Sequence, residues 1–214
     1  TLFPYTTLFR SAYRKEGDKW NVAYLPIDPK DLGRRYEEVV RINSQSGKGG
    51  VAHVLERDYQ ISLPRWLQIE FSQCVQKEAE TDGGEVDSHT IHRLFEDRYL
   101  AVNSAWRLST YDLRRDDEGV TATVRFGDQA TELKGQGLGA VEAVAAALQK
   151  TYGIKLAVEA YDEFALGEGT NANAMACIRI VVDGEVYSAA ALAEDTTSAT
   201  LQALLSAVGN HVGV

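Results

Sequence analysis

The spacing of hydrophobic residues changes about halfway along the chain. In the first part, apolar side chains recur at intervals of three and four, which places them along one face of a helix. The clearest series is Leu67, Phe71, Cys74 and Val75. The pattern predicts helices over 50–58, 62–80 and 88–99, with Ser62 as a capping residue of the second helix and Pro64 near its start.

In the second part, apolar positions alternate with polar ones, which is typical of strands with one buried face. Segments of this kind, separated by Gly and Asp turns, precede an Ala-rich helix that ends at Gly153. The same order recurs over 155–212, and we interpret it as an internal repeat of roughly 50 residues in βββα order. The predicted fold class is therefore α+β, a small helical subdomain followed by two βββα repeats that bury their apolar faces on each other or on a second chain.

These patterns divide the chain into three segments. Residues 1–11, "TLFPYTTLFRS", show neither helix nor strand periodicity, and we interpret them as a leader that is not native; the alternative is a genuine tail. Residues 12–101 form the predicted helical subdomain, and residues 102–214 form the predicted domain with the two repeats.

The charge balance narrows the possible partners. The 214 residues carry a formal net charge of −9 at pH 7, so the chain as a whole does not attract nucleic acid or an anionic membrane surface. No apolar run approaches the roughly 18 residues of a membrane-spanning helix. The two cysteines, Cys74 and Cys177, form no CxxC motif, which favours a reducing cytoplasm over a disulfide framework or a zinc ribbon.

Several motifs that resemble functional sites fail on their chemistry. "INSQSGKGG" has Ile42 where a phosphate-binding loop requires its first glycine, and Gly49 where the loop requires a hydroxyl. His89 and His92 have a spacing compatible with metal binding, but no neighbouring cysteine or carboxylate cluster completes a site. "GQGLGAV" lacks the spacing of a dinucleotide fingerprint. Its glycines nevertheless lead into a helix N-terminus, which can hold the carboxylate of a small amino acid, with Tyr161 as an apolar wall.

The segment from Leu25 to Gln76 resembles the linker region of 2-isopropylmalate synthases, most specifically in "NSQSGKGG" and the helix "LPRWLQIEFS". The βββα repeats resemble the C-terminal regulatory domain of that family, a pseudo-twofold unit that dimerises and binds leucine as a feedback inhibitor. The resemblance extends over about residues 20–212. It implies a cytoplasmic homodimer with leucine as its allosteric ligand.

The resemblance also implies what lies outside this chain. In the family, a catalytic (β/α)₈ barrel with a divalent metal condenses acetyl-CoA with 3-methyl-2-oxobutanoate. We therefore expect a C-terminal fragment that lacks the barrel, holds no cofactor of its own and is inactive alone. A citramalate synthase regulatory region, which responds to isoleucine, and a stand-alone amino-acid-binding dimerisation module remain alternatives.

The site residues follow from matching the family motifs. Tyr36 matches a linker tyrosine that contributes to the active site of the partner subunit. The positions that match the leucine site are Gly137, Leu138, Gly139, Val141, Val158, Tyr161, Ala165 and Leu192. The sequence departs from the family pattern at Phe164, Asn171 and Ala189–Ala191. We expect Gly137→Val to abolish ligand binding if the backbone of the turn approaches the carboxylate.

Overall fold

The apolar spacing of the first part forms helices in the computed structural model, which describes residues 42–43, 48–81, 85–166 and 173–213. The helices of this part are α1 (Lys48–Tyr59), α2 (Arg65–Thr81) and α3 (Ser88–Phe95), and a π-helical turn, Glu96–Leu100, continues α3. Two short strands, β1 (Ile42–Asn43) and β2 (Glu85–Val86), pair antiparallel. The proposed leader, residues 1–11, lies outside the described residues.

The helix starts show how local sequence sets these boundaries. α2 begins directly after Pro64, whose carbonyl accepts the N–H of Gln68, so Ser62 lies outside the capping position and its predicted role is wrong. Proline is well suited to a helix start because it has no N–H to satisfy there. α3 is capped by Asp87, whose carboxylate accepts the Thr90 N–H.

The second part forms the two predicted βββα repeats. The first consists of β3 (Leu108–Asp116), β4 (Gly119–Phe126), β5 (Thr131–Gly137) and α4 (Ala140–Tyr152). The second consists of β6 (Leu156–Leu166), β7 (Asn173–Val182), β8 (Glu185–Ala193) and α5 (Thr196–Val212). Each group of strands is an antiparallel sheet in sequential order. The predicted α+β class is confirmed.

The two repeats agree in strand register as well as in element order. The first strand of each has an irregularity at the same place, between Leu108 and Thr110 in β3 and between Val158 and Ala160 in β6. After it, Tyr111 pairs with Val124 and Tyr161 pairs with Ile178. Tyr111 and Tyr161 are therefore equivalent residues, as are Gly139 and Asp195, the N-caps of α4 and α5.

One hydrophobic core joins the two repeats. Residues of both sheets and both helices contribute to it, and α4 and α5 contact each other. Trp106 belongs to this core, is 2% exposed, and contacts Phe126 and Tyr152 at ring-centroid distances of 5.3 and 5.2 Å. The predicted burial of repeat against repeat is thus present in a single chain.

A second core forms on the opposite face of the second sheet. There α1, α2 and α3 pack against Met175, Cys177 and Ala190, which alternate along β7 and β8 with residues of the first core. Both faces of β7 are therefore covered. The first sheet instead carries polar residues on its outer face, such as Arg125, whose guanidinium lies 2.6 Å from the Glu132 carboxylate.

The helical part and the second repeat consequently share buried side chains. The division of the chain at residues 101 and 102 stays a prediction that rests on the change of sequence pattern. In the described ranges, no helix combines the length and hydropathy needed to cross a membrane.

Candidate functional site at the turn between β5 and α4

The predicted ligand residues of the first repeat lie at the turn between β5 and α4. Gly137 ends β5, Leu138 is 76% exposed, and Gly139 is the N-cap of α4 with an extended backbone. The N–H groups in the first turn of a helix have no partner within the helix, and the helix dipole makes this end partially positive. Gly139 has no side chain with which to satisfy them. The turn therefore offers donors that suit a carboxylate.

Glu142 already accepts one hydrogen bond at this turn. Its Oε2 lies 2.8 Å from the backbone nitrogen of Leu138, which donates the hydrogen bond. Glu142 belongs to the first turn of α4, where the helix dipole favours a negative charge. A ligand with a carboxylate alone would be repelled by Glu142, whereas the ammonium group of an amino acid would be attracted.

The predicted residues of β6 share one face of the second sheet. Val158, Tyr161 and Ala165 pair with Ile180, Ile178 and Ala174, which belong to the core under α4 and α5. α4 contacts β6, and both Val141 and Val158 pack half-buried against this core. Tyr161 is 52% exposed at the uncovered part of the face. Val158, Tyr161 and Ala165 thus lie on the face of β6 that is directed toward α4 and α5.

Leu192 lies elsewhere. It pairs with Met175, on the face of the second sheet opposite to the face that carries Tyr161. Leu192 is 49% exposed and lines a cavity of about 490 Å³ with residues of β3 and of the first turns of α5, among them Tyr111 and Ser198. By the equivalence of the repeats, this cavity corresponds to the region around Tyr161 and the β5–α4 turn. The role of Leu192 stays a prediction, although it does not share a face with the others.

The glycines of "GQG" have a packing role that the sequence did not reveal. A Cβ on Gly135 would lie 2.0 Å from the carbonyl oxygen of Ala143, and a Cβ on Gly137 would lie 2.7 Å from the Ala143 nitrogen. Gly137→Val would therefore push α4 away from β5 and does not test ligand approach alone. Gly139, by contrast, has no neighbouring atom of the described residues within 4 Å of the place where its Cβ would lie, so a substitution there probes the site without this clash.

Asp195 is a residue of this arrangement that sequence reasoning missed. Its carboxylate accepts the Ser198 N–H at 2.8 Å, the Ser198 hydroxyl at 2.5 Å and the Tyr111 hydroxyl at 3.3 Å. These hydrogen bonds hold the pKa of Asp195 below its usual range, and the two from Ser198 contribute most. The carboxylate is therefore ionised at neutral pH. An aspartate directly before a helix is a capping signature. Aligning the two repeats would have paired it with Gly139.

The positions that depart from the family pattern lie mostly in the cores. Phe164 points to the face with α1–α3, and Ala189 and Ala191 lie in the core under α5 while Ala190 lies in the other core. Asn171 and Tyr36 lie outside the described residues, so their predicted roles are not placed.

The other potentially reactive side chains considered among the described residues, Cys177 and His92, are buried or contact neighbouring side chains. Burial raises the pKa of the Cys177 thiol to about 12, which keeps it protonated and a poor nucleophile. His92 stacks on Tyr59 with a centroid separation of 3.8 Å and lies 3.3 Å from the Glu96 carboxylate. Over the described residues, no group of at least three His, Cys, Asp or Glu side chains is arranged to hold a metal ion.

Comparison with known proteins places the chain in a family. Residues 7–56 match the family model "Alpha-isopropylmalate synthase, post-catalytic domain-like", and residues 85–212 match "LeuA allosteric (dimerisation) domain". The second match covers more than half of the chain and includes both βββα repeats.

Curated relatives agree with these matches. The chain is 57% identical over 198 residues to the 2-isopropylmalate synthase of Alcanivorax borkumensis, an alignment that covers 91% of this chain and 35% of that protein. It is 43% identical over 201 residues to the enzyme of Rhodospirillum rubrum, with 91% and 36% covered, and 45% identical over 193 residues to that of Thermobifida fusca, with 89% and 34% covered. The chain thus spans about a third of the length of the curated relatives that it matches. It belongs to the 2-isopropylmalate synthase family, and its two repeats are the allosteric (dimerisation) domain of that family.

Proposed function

We propose that this chain is the regulatory portion of a 2-isopropylmalate synthase and that it binds free leucine at the β5–α4 turn as a feedback inhibitor. In the complete enzyme, the proposed reaction condenses acetyl-CoA with 3-methyl-2-oxobutanoate. One observation carries the proposal for the ligand: α4 begins at a glycine, whereas its counterpart α5 begins at an aspartate whose carboxylate caps it.

The second repeat indicates which chemical group the first repeat lacks. In the second repeat, the carboxylate of Asp195 accepts a first-turn N–H of α5 and the hydroxyl of Tyr111 from the first repeat. In the first repeat, the equivalent positions hold Gly139 and Tyr161. A free amino acid would supply the carboxylate that the protein provides for itself in the second repeat. This argument predicts one ligand per chain.

The neighbouring side chains suit a branched aliphatic ligand. Val141 and Val158 are half-buried, and Ala165 on the same face is small and exposed. A leucine side chain over these residues would remove apolar surface from water, which contributes about 25 cal/mol per Å². Glu142 would attract the ammonium group, so the site favours an amino acid over the corresponding 2-oxo acid.

The proposed reaction requires groups beyond those described. A divalent metal would polarise the carbonyl of the 2-oxo acid, but within the described ranges no side-chain cluster fits such a metal, and we assign no catalytic step to these residues. We propose that the chain alone is inactive and that the enzyme acts in the cytoplasm, where Cys74 and Cys177 remain free thiols.

Calorimetric titration of the chain with leucine tests the ligand proposal. We expect one leucine per chain, with weaker binding of isoleucine and valine. Gly139→Val should weaken leucine binding by at least about tenfold, because the branched side chain fills the open space at the turn and a tenfold loss corresponds to the removal of about one charge-assisted hydrogen bond.

Thr196→Val is the control, because it places the same side chain at the first residue of α5, directly after the Asp195 that caps this helix with its own carboxylate. It should bind leucine as the wild type does. Absence of heat with all three amino acids would contradict the proposal, and an unchanged affinity of Gly139→Val would place the site elsewhere. A preference for isoleucine would favour the citramalate synthase alternative.

We also propose that the chain forms a homodimer, on the basis of the matched dimerisation domain. Light scattering after size-exclusion chromatography should give twice the 23.5 kDa mass of one chain. A mass of one chain at every concentration measured would contradict dimerisation by the described domain.

A further inference from the structure

We propose that β6 couples the ligand site to the helices α1–α3, and that the hydrogen bond between Asp162 and Trp66 is the contact that transmits the change. This inference rests on the proposed function, because it assigns a regulatory output to the same site. It concerns the position of the helical layer relative to the second sheet.

Alternation along β6 provides the connection between the two faces. Tyr161 and Ala165 lie on the face of the proposed ligand site, whereas Asp162 and Phe164 lie on the opposite face, where they pair with Cys177 and Met175. Successive side chains of a strand point to opposite faces. Any displacement or twist of the strand caused by a ligand at Tyr161 is therefore passed directly to Asp162.

The helices α1–α3 contact the face of β6 that carries Asp162. The indole N–H of Trp66, at the start of α2, donates to the Asp162 carboxylate at 2.8 Å, between residues 96 positions apart in sequence. Phe164 and Leu166 of β6 pack against the core formed by α1–α3. A half-buried charge-assisted hydrogen bond of this kind is stronger than one between neutral groups.

α2 holds the other edge of the same sheet as well. One turn after Trp66, the Glu70 carboxylate accepts hydrogen bonds from Ser188 of β8 at 2.8 Å and from Tyr99 at 3.0 Å. Residues four apart on a helix lie on the same face. α2 thus has a side-chain hydrogen bond to β6 and another to β8, so a shift of β6 relative to β8 strains one of these two bonds or moves α2.

β6 is one of the two edge strands of the second sheet, and it carries Tyr161 of the proposed ligand site. In the described sheet it is an edge strand, paired to β7 alone, whereas β7 is paired on both sides and covered on both faces. On the ligand face, Thr200 of α5 donates to Glu163 of β6 at 2.7 Å. Besides its apolar packing, β6 thus carries one side-chain hydrogen bond to the helices on each face, Asp162 to Trp66 of α2 and Glu163 to Thr200 of α5.

The indole N–H resonance of Trp66 tests the coupling in ¹H–¹⁵N spectra of the whole chain. The chain has three tryptophans, and the Trp66 peak is assigned by its loss in Trp66→Phe. Tyr161→Ala, without any ligand, should move the Trp66 peak although Tyr161 lies on the opposite face. Leucine should move the same peak in the wild type and change amide hydrogen exchange in α2 by about fivefold.

Asp162→Ala should abolish the α2 response while leaving leucine affinity within about threefold, a change of less than 1 kcal/mol. Asp112→Ala is the matched control, because Asp112 occupies the equivalent position of β3, where it pairs with Thr123 on a polar face. It should respond as the wild type does.

The outcomes separate the coupling from the ligand proposal. An unmoved Trp66 peak in Tyr161→Ala, or an α2 response to leucine that persists in Asp162→Ala, would overturn the coupling. A Trp66 peak that moves in Tyr161→Ala while leucine produces no heat would support the coupling and overturn leucine as the ligand.

Discussion

Trp106→Ala is expected to lower the free energy of unfolding of the chain by about 3–5 kcal/mol. The indole is almost completely buried, stacks on Phe126 of β4 and contacts Tyr152 at the end of α4. Gly209 of α5 also lies against the indole, since a Cβ added there would come within 2.6 Å of the ring. Trp106 thus contacts both repeats. Its removal leaves a cavity, which the glycine at position 209 cannot fill.

Chemical denaturation followed by circular dichroism measures this loss. Val186→Ala provides the control, because Val186 is 49% exposed and its truncation removes little buried surface. It should change the free energy of unfolding by less than about 0.5 kcal/mol. A loss below about 1 kcal/mol in Trp106→Ala would show that the two repeats do not depend on this side chain.

Gly135→Ala should destabilise the chain by about 3 kcal/mol, the upper end of the usual cost of overpacking. The new Cβ would lie 2.0 Å from the Ala143 carbonyl oxygen and 2.9 Å from the Ala147 Cβ. The nearest of these atoms belongs to helix backbone, so relief requires α4 to move away from β5. Differential scanning calorimetry should show a correspondingly lower Tm.

Gly49→Ala makes the same chemical change in α1, where, among the described residues outside the helix's own backbone, no atom lies within 4 Å of the added Cβ. It should leave Tm unchanged or raise it slightly, because alanine is a better helix former than glycine. Equal effects of the two substitutions would contradict close packing of α4 on β5.

Element boundaries in the second half were largely readable because local chemistry marks them. α5 spans Thr196–Val212 and ends at the residue where the predicted second repeat ends. Gly153 adopts the left-handed conformation that ends α4. Such signals depend on neighbouring residues alone, so they need no knowledge of the fold.

The candidate site was harder to predict from the sequence, because the roles of its residues depend on contacts with residues far away in the chain. "GQG" marks a glycine-rich turn, but sequence does not show that Gly135 and Gly137 make room for α4 whereas Gly139 faces open space. Similarly, the face on which Leu192 lies depends on its pairing with Met175. A shift of register by one residue would place it on the other face.

The family, the α+β class, the two βββα repeats and the position of the glycine-rich turn could be predicted from the amino-acid sequence, since these depend on local patterns and on specific strings. The three-dimensional contacts were needed to show that α1–α3 pack on the second sheet, that Trp66 donates a hydrogen bond to Asp162, and that Asp195 caps α5 at the counterpart of the open turn. These contacts join residues far apart in sequence. Their selection depends on the shape and burial of whole faces, which no local pattern records.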